Sequence, residues 1–343
     1  MDTLFSEARG SEREAVAALK DLLAKMRRPF RAGDAVGVKV HWGERGNDSH
    51  LPPVYTREVV RWLQAGGARP FVFDTTVLYS GGRRDGKDSL ETAAGHGYTE
   101  EHLGCEVVIG DGLEGNEVVD IPCDLMHFST VQTGSVIDRA AGFVIFSHFK
   151  GHLGSGFGGA IKNLSMGFAS RAQKQRMHAD AKPSLIEERC TRCGVCADVC
   201  PTGAAQISGD ELPTYDLELC IGCAQCIGQC PAMALEIFFS ADPSVFQEKL
   251  VETAAAVWRR IAEKTVLINA LVRISADCDC LPGKAEIIAP DLGFIGGYHP
   301  VAVDQASLER LGEEIISRTH PYVPWQRQFS FAREIGFYPS EEG

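Results

Sequence analysis

Cys190-x-x-Cys193-x-x-Cys196-x-x-x-Cys200-Pro201 recurs thirty residues later as Cys220-x-x-Cys223-x-x-Cys226-x-x-x-Cys230-Pro231. No other feature restricts the folding of this chain so sharply, because eight thiolates at this spacing converge on inorganic centres rather than pack in a core. Three thiolates at two-residue gaps wrap one 4Fe-4S cube, and in two-cluster modules the fourth cysteine of each run ligates the other cube. Cys190, Cys193, Cys196 and Cys230 are therefore expected to bind one cluster. Cys220, Cys223, Cys226 and Cys200 are expected to bind the second. Zinc sites also use paired C-x-x-C units, but with four ligands each and not with this run twice over. Gly194, Gly222, Ala197 and Ala224 leave room for backbone amides near the sulfurs, which tunes potential.

On either side of the cysteines the hydrophobic pattern alternates between helical and strand periods. Ser11 and Glu14 form an S-x-x-E capping box, and Val16, Leu19, Leu22, Leu23 and Met26 follow at helical spacing, so a first helix is expected to end near Arg28. Strand-like runs at 35–42, 69–76, 105–111 and 142–149 alternate with helical segments at 57–67 and 88–96. That order predicts an α/β fold, a mostly parallel sheet with helices on both faces and ligands beyond the carboxyl ends of its strands. Past the cysteines, Asp242 and Pro243 read as the N-cap and first residue of a helix with Phe246, Leu250, Val257, Trp258 and Ile261 apolar. Strand-like runs at 267–274 and 285–290, then a helix from about Val303 to Arg318, resume the alternation. The α/β domain is thus expected in two parts, 1–183 and 239–343, around a ferredoxin-like (α+β) two-cluster module at 184–238.

The formal net charge of −12 opposes binding to a phosphate backbone, so no nucleic-acid partner is expected. No run of about 18 apolar residues offers a membrane span. The amino terminus lacks the basic start and apolar run of a secretory signal. Twelve cysteines, eight of them at metal-ligand spacing, argue against a disulfide scaffold and for the reducing cytoplasm. One stretch departs from the acidity: between His148 and Arg192 eight Lys or Arg residues face three acids. It reads as a solvated surface, a pocket for a small anionic substrate or countercharge for thiolate-ligated clusters.

Within that stretch SHFKGHLGSGFGGAIKN, 147–163, contains Gly154-x-Gly156-x-x-Gly159. The following chain lacks the compact strand-helix-strand unit and acid of a dinucleotide site, but a glycine-rich turn entering a helix still presents amides to a carboxylate or phosphate. Lys150, His152 and Lys162 are the candidate catalytic residues, with Arg171, Lys174 and His178 adding positive charge and proton donors. His41, Glu44, Arg45, Asp74 and Thr75 fall at strand carboxyl ends and are candidates to line the same crevice. Cys278 and Cys280 form a further thiol pair, an extra candidate site for a metal or redox role. Cys105 and Cys123 read as structural thiols.

VKVHWGERGN (38–47), FDTTVLYSGGR (73–83), SHFKGHLGSGFGGAIKNLSMG (147–167), both cysteine runs, DCDC (277–280) and the closing PDLGFIGGYHPVAVDQAS together resemble, over nearly the full length, the uncharacterised iron-sulfur-centre proteins grouped as domain of unknown function 362. The resemblance implies an α/β domain carrying a ferredoxin insert, with a redox role and no assigned reaction. Such proteins usually place an acid before the proline of the closing motif, where this chain has His299. A looser similarity from His152 through GFGGAIK to the nickel-pincer lactate racemases places Lys162 at the lysine that carries their cofactor. The expectation is an iron-sulfur redox protein, a candidate oxidoreductase. Its two 4Fe-4S clusters would deliver electrons to a substrate or second metal in the α/β domain. The alternative is a ferredoxin-like carrier that serves a redox partner protein and has no substrate site of its own.

Overall fold

The computed structural model of the chain describes residues 3–179, 182–237, 239 and 241–339. Seven strands form one sheet: β1 (Leu4–Glu7), β2 (Ala35–Lys39), β3 (Arg69–Asp74), β4 (Glu106–Ile109), β5 (Gly142–His148), β6 (Thr265–Leu271) and β7 (Gly293–Gly297). Their order is β1-β7-β6-β5-β2-β3-β4. The five from β6 to β4 run parallel, and β7 is antiparallel to both its neighbours.

Strand β5 shows how the sequence builds the two layers. Every residue from Gly142 to His148 is buried, as a parallel strand covered on both faces requires. Phe143 and Ile145 join one core with Phe73, Phe168, Leu250 and Val257; Val144 and Phe146 join the other with Leu19, Val59, Trp62 and Ile268. The first core is roofed by helix Pro243–Ile261, capped by Asp242 onto the Ser244 and Val245 amides, and by the short helix Ala160–Ser165. The second is roofed by helices Glu12–Lys25 and Pro53–Ala65. The Ser11–Glu14 capping box forms as expected.

Three sequence expectations need correction. The apolar run at 285–290 is not in the sheet and makes only an isolated bridge, Ser275 to Ile287. The free edge of β6 is instead taken by β7, Gly-Phe-Ile-Gly-Gly, whose glycines admit a close neighbour: a Cβ on Gly296 would lie 2.7 Å from the Met26 sulfur. The expected helix from about Val303 to Arg318 is two helices, Pro300–Leu311 and Glu313–Thr319, broken where Gly312 turns with φ +95°. The glycine-rich 154–159 turn is not a strand-to-helix phosphate loop either. Residues Lys150–His152 and Gly156–Gly158 pair as a small antiparallel hairpin, and only then does helix Ala160–Ser165 begin.

Between helix Arg171–His178 and helix Pro243–Ile261 lie the eight cysteines of the repeat. Residues 182–237 contain a two-residue-per-strand hairpin, two short helices and their own small core of Ala224, Ile227, Cys230, Ala234 and Leu235. Left-handed backbone falls at Arg192, Gly194 and Gly203 and again thirty residues on at Gly222, Ala224 and Met233, so the sequence repeat is also a conformational one. The far boundary expected for this unit, Phe238, lies outside the described residues, as does Asp180 of the basic stretch. Among the described residues no helix is long and apolar enough to cross a membrane.

Candidate functional site

The carboxyl ends of β2, β3, β5 and β6 open into one cavity of about 1060 Å³. Its wall takes His41 and Glu44 after β2, Asp74 and Thr75 at the end of β3, His148 and Lys150 at the end of β5, and Cys278 and Cys280 from the loop beyond β6. His152, Lys162, Lys174 and His178 complete it, so the three candidate catalytic residues and the strand-end candidates share one space. Arg171 does not line it; its guanidinium binds the Arg84 and Glu114 carbonyls instead.

A buried ion network forms the floor. Lys39 meets Asp74 at 2.8 Å, and Arg83 meets Asp74 at 3.4 Å and Glu44 at 3.3 Å. Burial alone would raise the Asp74 carboxyl, but the charges of Lys39 and Arg83 hold it below its usual value. Lys174 is satisfied by Thr75 Oγ1 and the Thr76 and Ala169 carbonyls, and burial pulls its pKa down to about 8.

The Cys278 loop is held from below by Asp279. This fully buried carboxylate contacts His148 Nδ1 at 2.8 Å and Lys150 Nζ at 3.0 Å, and the Glu44 amide donates to its carbonyl. Burial opposes its ionisation, yet the charges of His148 and Lys150 hold the carboxyl far below the usual range. The other His148 nitrogen donates to the Val272 carbonyl at 2.9 Å. Lys150, a candidate catalytic residue, is thus placed as the partner of Asp279, with its ammonium turned to the loop.

Around Cys278 the donors converge. The Cys280 amide lies 3.3 Å and Lys162 Nζ 3.9 Å from its sulfur, a ring nitrogen of His152 and the Cys280 sulfur lie within 4.8 Å of it, and His41 stands beside it. The hydrogen bond from Cys280 is the largest influence pulling Cys278 well below an ordinary thiol, against burial and with help from Lys162, His152 and His41. The same bond pushes Cys280 up, so it keeps its proton. One ligand atom from each of His152, Cys278 and Cys280 lies within 4.8 Å of the others. Lys162 has no carboxylate partner among the described residues, which leaves its charge facing the cavity.

Lys162 is placed by a residue that the sequence reading did not single out. Asp304, on helix Pro300–Leu311, accepts from the Ala160 and Ile161 amides at 2.6 and 2.9 Å and so caps the helix that carries Lys162. Asp304 lies inside the closing motif, the one signal that pointed there. His299 beside it packs between Trp258 and Phe337, away from the cavity.

The repeat cysteines lie against this α/β body. One small cavity is lined by Cys190, Cys193, Cys196 and Cys230, a second by Cys200, Cys220, Cys223 and Cys226. Helix Arg171–His178 separates them from the large cavity. Its Ala172 abuts helix Gln225–Gln229 so closely that a Cβ on Gly228 would sit 2.8 Å from the Ala172 nitrogen, while Lys174 and His178 line the large cavity. Arg84 spans the same divide, donating to the Cys230 carbonyl at 3.0 Å and the Leu78 carbonyl at 3.0 Å.

Fold and site together define a mixed α/β protein with a mostly parallel sheet flanked by helices and a cationic, thiol-bearing cavity at the strand ends. The chain belongs to the family described as Domain of unknown function (DUF362), whose model matches residues 36–309. Among the solved structures similar to it are two of low sequence identity. One is a protein from Thermotoga maritima, with TM-score 0.47, 9% identity and coverage of 92% of this chain and 60% of that one. The other is the lactate racemase apoprotein from Thermoanaerobacterium thermosaccharolyticum, with TM-score 0.41, 12% identity and coverage of 78% and 51%. The chain thus spans less than two thirds of either structure. No curated protein matches it.

Proposed function

We propose that this chain is a two-cluster iron-sulfur redox protein whose α/β cavity receives a small anionic substrate. The observation that carries this reading is the sorting of the thiols. Each small cavity takes three cysteines from one run and the fourth from the other, the crossed pattern of a two-cluster module. Among the described residues no three of these thiols bring their sulfurs within 4.8 Å of one another. Four thiolates on one zinc ion, with Zn–S of about 2.3 Å, would stand about 3.8 Å apart, so the spacing favours a larger centre. Bound there, 4Fe-4S clusters supply one electron at a time.

The large cavity supports a substrate over a bare carrier. A carrier has no use for a buried, cation-rich space separated from its thiols by one helix. Lys174 and His178 face that space from the helix that packs on the Cys226 segment, and Arg84 ties the Cys230 carbonyl to the cavity wall. Lys162, with no carboxylate partner among the described residues, supplies positive charge that an anion would meet.

Iron, sulfide and zinc per chain on anaerobically purified protein, with electron paramagnetic resonance after dithionite reduction, test the proposal. About eight irons and eight sulfides are expected, falling to about four of each in Cys226→Ser. Stoichiometric zinc with little iron would overturn it.

A further inference from the structure

We propose that Cys278 is a nucleophilic thiolate that forms a covalent bond with a small anionic electrophile bound in the large cavity. This inference stands on the cavity alone and does not depend on clusters in the cysteine repeat.

The orientation of the two histidines carries it. The close approach of His152, Cys278 and Cys280 also resembles a mononuclear metal site. A metal-ligating imidazole, however, hands its second ring N–H to a carbonyl or carboxylate. Here the second nitrogens do the opposite. His152 Nδ1 accepts from the Gly154 and Ser155 amides, each at 3.0 Å, and His41 Nδ1 accepts from the Gly43 amide at 3.0 Å. A neutral ring that accepts at Nδ1 carries its proton on Nε2. Burial keeps both rings neutral, His152 down to about 4, so each carries its proton on Nε2 and offers the Cys278 side of the cavity a donor rather than a lone pair for a metal.

Cys278 is therefore surrounded by donors: two imidazoles, the Cys280 amide and thiol, and Lys162. Such an environment holds the sulfur anionic at neutral pH, the form that attacks. Lys162, without a carboxylate partner, and the cavity's other cations select for negative charge on the incoming molecule. In the attack a sulfur lone pair forms the new S–C bond, and the leaving group departs with the electron pair of the bond that breaks. No oxidant or reductant is required.

The test compares two alkylating probes of similar size on the full-length, anaerobically purified protein: iodoacetate, an anion, and iodoacetamide, which is neutral. Carboxymethylation or carbamidomethylation of Cys278 is followed by peptide mass spectrometry between about pH 6 and 9, around the ordinary thiol range. The expected result is faster reaction with iodoacetate and a rate that does not rise with pH. Lys162→Met should slow iodoacetate about tenfold and leave iodoacetamide within about twofold. Failure to label Cys278, a rate that climbs with pH like an ordinary thiol, or no preference for the anion would each overturn the proposal, and none of these needs a variant to fold. Loss of one metal ion per chain in Cys278→Ala, with iron and sulfide otherwise unchanged, would also overturn it and make Cys278 a ligand. Iron and sulfide measured on the same samples report the clusters separately.

Discussion

Acidification from about pH 7 to about pH 5 should cost the fold about 2 kcal/mol through each of two buried imidazoles, His152 and His178. Both imidazoles are buried and neutral in the fold. Burial, then the Lys162 charge, brings His152 down to about 4. Burial, then the charges of His152 and Lys162, brings His178 to about 3, with its ring held against Phe239 and Phe246 at centroid distances of 4.7 and 4.8 Å. In the unfolded chain each titrates near 6.5, so between there and the folded value the unfolded state binds more protons. The stability they allow is complete above about pH 6.5 and is lost as pH falls toward the folded values. Urea unfolding curves at each pH measure this. His178→Gln should remove its share, about 2 kcal/mol, of the change between pH 7 and pH 5, and a variant with the wild-type slope would show that this ring is not buried as described.

Removing the carboxylate beneath the Cys278 loop should cost about 3–5 kcal/mol, the range for breaking a buried ion pair from one side. Asp279→Ala leaves Lys150 buried with its ammonium facing only the His148 carbonyl at 3.3 Å. The cost is mostly that of the stranded charge, so Lys150→Met in the same chain should recover much of it. Urea midpoints at constant m-value give both numbers. A loss below about 1 kcal/mol in Asp279→Ala would mean that the loop is not anchored through this pair.

The strand-end residues of the site were legible because their placement follows from local pattern. His41, Glu44, Asp74 and Thr75 end apolar strand runs, and a parallel sheet gathers such ends on one edge. Lys150, His152 and Lys162 were legible as a group because they share one basic, glycine-rich segment, although not in their separate tasks. That Lys150 serves Asp279 depends on β6 lying beside β5, a pairing between segments far apart in sequence. Asp304 was hidden likewise, since nothing near it announces that its carboxylate will cap a helix from another part of the chain. Strand β7 went unread because three of its five residues are glycine, poor strand formers chosen for close contact, whereas 285–290 has the composition of a strand but finds the edge occupied.

The pairing of β5 with β6 also sets an order of events during synthesis. On the ribosome β5 emerges and can join β2, but its other edge stays open until Thr265–Leu271 follows, after both cysteine runs have been made. All eight repeat thiols are thus delivered while the centre of the sheet still offers unpaired backbone, the state most exposed to wrong partners. Cys278 follows β6 in the chain, so its place beside its histidines is set from a strand made after both cysteine runs. A chain stalled before Thr265 would carry all eight repeat cysteines and lack Cys278.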